Sequence, residues 1–197
     1  MGSVLGKITE ELPRHDVLRR AAAYEIRRYH PCVVAETTYK SRKGMFGGDQ
    51  GGPFMRLARF IGVTAKPQNE SAEPIAMTAP VLMSGGTNDD AHDGSTYTMA
   101  FFLPASRFRT AAEAPKPIST EVRLRDIPER TVAALTFSGA MRADLIAEKD
   151  GELREALERD GVRVAPGARA MAAGYNPPWT PSFLRTNEIL LEVVHPT

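Results

Sequence analysis

The residues best suited to chemistry fall in two stretches, PFMRLARFIG (53–62) and YNPPWTPSFLRTNE (175–188). In the first, Phe54, Leu57, Ala58 and Ile61 recur at i, i+3, i+4 and i+7, one apolar face of a helix. Met55, Arg56, Arg59 and Phe60 flank that face. An apolar groove edged by guanidinium groups suits a flat hydrophobic ligand bearing carboxylates. Arginine grips a carboxylate with two parallel hydrogen bonds. The same stripe would equally serve to pack a helix on a sheet, with the arginines in water. The second stretch holds the only tryptophan, Trp179, among prolines and near Phe183, Arg185 and Glu188. It reads either as a rigid turn covering the core or as an aromatic wall of a ligand site. Glu188 is the candidate acid or base. Its other reading is a structural hydrogen-bond partner of the YNPPW turn.

Other chemistries find less to work with. The four histidines, His15, His30, His92 and His195, show no metal-ligand spacing and no HExxH pattern. His92, in NDDAHDG, would at most attract a stray cation from a solvated loop. Cys32 is the only cysteine, which excludes an internal disulfide and a cysteine-rich zinc site. It follows a proline in an apolar strand and reads as an inert buried thiol. GGDQGG (47–52) is glycine-rich but lacks the Lys-Ser/Thr ending of a phosphate loop. There is no G-x-S-x-G elbow. The net charge of +1 creates no global field toward nucleic acid or membranes. No apolar run approaches the ~18 residues of a membrane helix. The start of the chain lacks the apolar core of a signal peptide, so a cytoplasmic location is expected.

The elements that must position these residues follow from pattern. YEIRRY (24–29) alternates, with Glu25, Arg27 and Tyr29 on one face. CVVAETTY (32–39) is rich in β-branched residues. Both are predicted strands, and 53–62 is a predicted helix with Pro53 in its first turn and Gly62 as its C-cap. PIAMTAPVLM (74–83) reads as a strand interrupted at Pro80, and TYTMAFFLP (96–104) as a strong strand, with a loop over 84–95. After a proline-rich connection come strands at 120–127 and 130–139, a long helix at 142–161, and strands at 169–179 and 187–194. Residues 1–22 read as a polar lead-in with a short turn of helix. The order strand, strand, helix, strand, strand occurs twice. Val33-Val34 and Val132-Ala133 lie 99 residues apart, and MTAPV and YNPPW 98 apart, which suggests an internal repeat. On that spacing Pro80 and Pro177-Pro178 mark matching bends. The expected fold is α+β, a distorted antiparallel β-barrel of two pseudo-symmetric ββαββ repeats flanked by two helices. One domain is expected over 23–195, with repeats at 23–104 and 119–195 joined by 105–118.

YEIRRY, FIGV, IAMTAPV, TMAFFLP and AGYNPPWTPSFLRTNEI together resemble the SOUL haem-binding family, especially its plant cytosolic type. The resemblance runs from about residue 5 to about 194. It implies the barrel and repeats just described, a fold shared with small-molecule effector-binding domains of bacterial regulators. It also implies reversible binding of haem or metal-free porphyrin in a groove beside the first helix. Carried residue by residue, the groove would be Phe54, Leu57, Ala58 and Ile61, with Arg59 meeting a propionate. Pro178, Trp179 and Thr180 would form a covering loop. Animal members place methionines where Phe54 and Ala58 stand, a basic residue at Gly51 and a lysine at Thr180. Trp179 stacking on the macrocycle, and Arg56 or Arg185 as cations, would take over those roles. Met55 and Tyr175 are the side chains that could approach the iron. The implied function is a cytosolic haem carrier or buffer, with no nucleic-acid partner, no membrane span and no specified protein partner. The alternatives are an enzyme acting on haem or another flat ligand through Glu188, and a protein-interaction module with a vestigial groove.

Overall fold

The computed structural model describes residues 8–42, 44–46, 50–63, 65–87 and 95–194. The first seven residues, the tip of GGDQGG, most of the predicted 84–95 loop with His92, and His195 lie outside the described residues. The elements in chain order are β1 (His15–Arg20), β2 (Glu25–Tyr29), β3 (Cys32–Ser41), α1 (Gly51–Ile61), β4 (Val81–Thr87) and β5 (Ser95–Phe102). Then follow β6 (Arg123–Ile127), β7 (Arg130–Phe137), α2 (Ala143–Arg159), β8 (Met171–Gly174) and β9 (Asn187–Glu192). All nine strands join one curled sheet in the order β1-β2-β7-β9-β8-β4-β5-β3-β6. Every neighbouring pair is antiparallel. Without β1, the order reads the same from either end once β2 to β5 are exchanged for β6 to β9. The fold is therefore the expected α+β distorted barrel of two pseudo-symmetric ββαββ repeats, curled as a half-barrel, and the repeats pair with each other at β2–β7, β3–β6 and β4–β8.

Side chains alternate between two buried faces. Val33, Ala35, Met99 and Phe101 pack with Leu57, Phe60 and Ile61 of α1. Ala133, Leu135, Ile189 and Leu191 pack with Leu153, Ala156 and Leu157 of α2. The residues between them, Val34, Ala100, Phe102, Val132, Ala134, Ala173 and Leu190, form a third cluster inside the curl. Burial on both faces explains why these strands read as nearly unbroken apolar runs.

Three sequence expectations change. Residues 15–20 form an edge strand on β2, not a turn of helix. Asp16 to Arg20 are exposed on both faces, so backbone pairing alone defines this strand and no apolar alternation marks it. The 74–83 strand begins only at Val81, because Pro80 has no N–H for the ladder. The Ala79–Pro80 peptide bond is cis. Finally, Pro80 precedes β4 whereas Pro177 and Pro178 follow β8, so they are not matching bends. The counterpart of the 175–186 connection is the β4–β5 connection, which lies largely outside the described residues.

α1 is closed by Gly62, which sits in the left-handed region at φ 85° and donates to the Ala58 carbonyl. Beyond it, buried Asn69 donates to the Phe60 and Glu73 carbonyls and accepts from the Glu73 N–H. That staple returns the chain to β4. A Cβ at Gly62 would both occupy a left-handed backbone and collide with the Pro67 ring. Gly62→Ala is expected to lower stability by about 1–3 kcal/mol. Denaturant unfolding measures it, and a loss within experimental error would contradict this account of the cap.

Candidate functional site

The predicted helix stripe faces the sheet. Leu57, Ala58 and Ile61 are fully buried, with Leu57 and Ile61 in the α1 core. Phe54 is half-buried, its ring edge-on to Phe101 at 5.3 Å. A stripe at i, i+3, i+4, i+7 is what a helix needs to cover a sheet, and here it does so. Arg56 is already engaged. It donates to Thr37 Oγ1 and the Thr38 carbonyl and pairs with Glu121 at 3.1 Å, tying α1 to β3. Arg59 is exposed in the last turn of α1, where a cation is favoured by the helix dipole. The accessible part of this element is thus Arg59 with the margins of Phe54 and Met55.

Between the helices runs an apolar seam. Met45, Phe46 and Met141 pack against both the α1 and the α2 clusters. Met141 lies over Gly174, where an added Cβ would come within 2.6 Å of its terminal methyl. The Tyr39 hydroxyl donates to the Met45 carbonyl at 2.9 Å, and burial pushes that phenol up to about 12. Thioether side chains fill such a seam adaptably. Sequence reading missed it, because the seam residues lie in the connections leading into α1 and α2.

The 175–186 connection borders this seam. The Gly139 N–H donates to the Ser182 carbonyl, and Asn187 Nδ2 donates to the Gly139 carbonyl, both at 2.9 Å. Gly139 is two residues from Met141. Within the loop, Arg185 donates to the Pro178 and Thr180 carbonyls, and Asn176 Oδ1 accepts from the Thr186 N–H. Arg185 is therefore a staple of the loop's own backbone. Thr180 is buried and Pro178 exposed, while Trp179 and Phe183 are each 75% exposed. Trp179 belongs to none of the three apolar clusters.

Glu188 is 4% exposed and points into the curl. Its carboxylate accepts from both terminal nitrogens of Arg27 at 2.9 and 3.0 Å, from Thr136 Oγ1 at 3.1 Å, and from the Tyr175 hydroxyl at 2.5 Å. Arg27 also donates through Nε to Glu25 and through Nη1 to the Tyr29 hydroxyl. Burial works against the Arg27 charge, but the Glu188 bonds outweigh it and hold the guanidinium proton more tightly than usual. Burial, then the Glu188 charge, push the Tyr175 phenol well above its ordinary range. Tyr175 is thus committed to Glu188 and turned away from α1. The alternation in YEIRRY had already put Glu25, Arg27 and Tyr29 on one face, the signal from which this cluster was legible. Burial also pushes the Cys32 thiol up. Among the described residues no group of three His, Cys, Asp or Glu is arranged to hold a metal ion.

Comparisons with known proteins agree with this architecture. A family model described as SOUL heme-binding protein matches residues 10–192. Heme-binding protein 2 of Homo sapiens is 29% identical over 169 residues, 86% of this chain and 77% of its own length. Among solved structures, an uncharacterized conserved protein from Listeria innocua aligns with a TM-score of 0.61 at 14% identity, covering 87% of this chain and 92% of that one. The EcmrR C-terminal domain aligns with a TM-score of 0.58 at 12% identity, covering 87% and 98%. At such identities the structures speak to the fold alone. The family match spans nearly the whole chain, and the chain belongs to the SOUL heme-binding protein family.

Proposed function

We propose that the chain is a reversible tetrapyrrole carrier or buffer of the cytosol that takes haem or metal-free porphyrin. The observation that carries this reading is the apolar Met45–Phe46–Met141 seam bordered by a rigid loop with two exposed aromatic rings. That surface fits a flat apolar macrocycle. Phe54 and the seam would support one face, Trp179 would stack on the other, and exposed Arg59 would meet a propionate. Pro178 and Thr180 would shape the wall that carries Trp179. Leu57, Ala58 and Ile61 would act from beneath, by holding α1 on the sheet.

The fit is to the macrocycle, and the side chains in or beside the seam that could meet an iron are the thioethers of Met45, Met55 and Met141. Tyr175 is bound to Glu188, and His30 faces Asp16 on the edge formed by β1 and β2. Haem would supply a redox-active iron when bound, but recognition on this reading is of the ring and its carboxylates. Burying ~300 Å2 of apolar ligand surface at ~25 cal/mol per Å2 is worth roughly 7 kcal/mol before association costs. A gross term of this size favours reversible over tight binding.

The enzymatic alternative has less support, since the acceptor positions of Glu188 are occupied by Arg27, Thr136 and Tyr175. A module that binds proteins through a vestigial groove would show no preference among flat ligands.

Titration with hemin and with protoporphyrin, followed by the Soret band and by Trp179 fluorescence, tests the main reading. Similar affinity for both is expected, weakened roughly tenfold in Trp179→Ala and a few-fold in Arg59→Ala, whose charge is solvent-exposed. Binding of hemin alone, unaffected by either substitution, would mean that an iron ligand elsewhere dominates.

Glu188→Gln tests the role of the buried pair. It should cost about 1.5–3 kcal/mol, because Arg27 loses its charged bonds to Glu188 but keeps Glu25 at Nε, and hemin spectra should show no slow conversion in either protein. Turnover that is lost in the variant would restore the catalytic reading. Tyr175→Phe should cost about 1.5–3 kcal/mol at neutral pH. The Tyr175 phenol is raised above its ordinary value of 10.0, so its stabilisation is full below that pH and falls away as pH rises through the folded-state value. The variant should accordingly lose stability less steeply than the wild type in alkali, read by unfolding across that range.

A further inference from the structure

We infer that Met141, seated over Gly174 in the apolar seam, is the side chain offered to the iron of a bound haem, and that the site thereby favours ferrous over ferric haem. This rests on the tetrapyrrole reading and gives it a preferred oxidation state.

Among the described residues, most groups that could ligate iron are already committed elsewhere. The Tyr39 hydroxyl donates to the Met45 carbonyl and would have to lose its proton to bind iron, which burial opposes by pushing the phenol up to about 12. Tyr97 is buried in the α1 core beside Tyr39, their rings 5.7 Å apart. Tyr175 is held by Glu188. His15 lies against the Tyr29 ring and His30 against Asp16, both on the β1–β2 edge. Cys32 belongs to the cluster inside the curl, on the sheet face away from α1. The thioethers of Met45, Met55 and Met141 remain. Met55 flanks α1 and belongs to neither helix cluster, and the Met45 carbonyl is pinned by Tyr39 and Gln50. Met141 is half-buried, packs on both helix clusters and lies beside the base of the 175–186 loop, two residues from the Gly139 that bonds to Ser182 and Asn187. Its terminal methyl rests where a Cβ at Gly174 would come within 2.6 Å. On that face β8 presents Gly174, with Ala172 two residues before it, so no large strand side chain fixes the thioether and it can turn toward a ligand.

Two effects set the oxidation state, and they point the same way. A thioether is a neutral, soft ligand that raises the potential of the iron it binds. Ferric haem also carries one more positive charge at the iron, which an apolar surround disfavours. Met45, Phe46, Met141 and Phe54 bring no anion to offset that charge.

The full chain and Met141→Leu, a volume-conserving change, would each be titrated with protoporphyrin, with hemin, and with hemin reduced by dithionite. Circular dichroism checks that the fold is kept. Protoporphyrin and hemin affinities should differ by no more than about threefold between the two proteins, while ferrous haem should bind the variant roughly tenfold more weakly. Equivalently, the midpoint potential of the bound haem should fall by about 59 mV or more in Met141→Leu, the value of a tenfold change for one electron. A smaller fall is expected in Met45→Leu. A midpoint that does not move in Met141→Leu would overturn the inference, and so would an equal fall in Met45→Leu. If neither hemin nor protoporphyrin binds, the carrier reading falls and this inference with it. If both bind and the midpoint stays, this inference falls and the carrier reading stands.

Discussion

The Arg27–Glu188 pair inside the curl is the constraint on which the arrangement of the second half depends. Each partner loses its water, at a cost of several kcal/mol per ion in a real protein interior. Six bonds, two within the pair and one each with Glu25, Tyr29, Thr136 and Tyr175, offset that loss. The pair also discriminates between registers. β2 lies against β7 and β7 against β9, so a one-residue slip of β2 would turn Arg27 to the α2 face and bury it without Glu188. Apolar side chains at these positions would fill the curl but would not exclude that slip.

The same pair reaches the 175–186 loop through Tyr175. Tyr175 closes the last turn of backbone after β8, and its N–H donates to the Thr186 carbonyl at the other foot of the loop. Its hydroxyl is held by Glu188. The loop is therefore anchored at its base by a buried charge and at its tip by Arg185. An aromatic ring can stand in solvent on such a frame without collapsing onto the core. Preorganisation of this kind lowers the ordering cost of any binding through the loop.

Much of the fold was legible in the sequence because its physical cause is local. The α1 stripe, its Gly62 cap and the run RADLIAEKDGELREALERDG each point to one element, and the structure has them. The strands were legible as apolar runs because both faces of the sheet are buried. β1 was not, since an edge strand exposed on both faces leaves no apolar pattern. Pro80 and Pro177-Pro178 misled because a residue offset cannot tell whether a proline precedes one strand or follows another. The site was harder for the same reason in reverse. The stripe Phe54, Leu57, Ala58, Ile61 has a single spacing whether it faces a ligand or a sheet, and only the packing distinguishes them. The Met45–Phe46–Met141 seam joins parts of the chain almost a hundred residues apart, and no local pattern marks that meeting.

The failed equivalence of the prolines has a structural meaning of its own. The two halves share strand order and one helix each, so the sheet alone would offer two similar helical surfaces. What distinguishes the second half is the proline-rich loop after β8, stapled by Arg185 and footed on the Glu188 cluster. The cluster draws its cation from β2, a strand of the first half that pairs with β7 across the pseudo-symmetry. The aromatic loop thus stands on a joint between the two repeats. Arg27 of the first repeat and Glu188 of the second thus tie the repeats together, and Tyr175 carries that tie to the foot of the loop that bears Trp179.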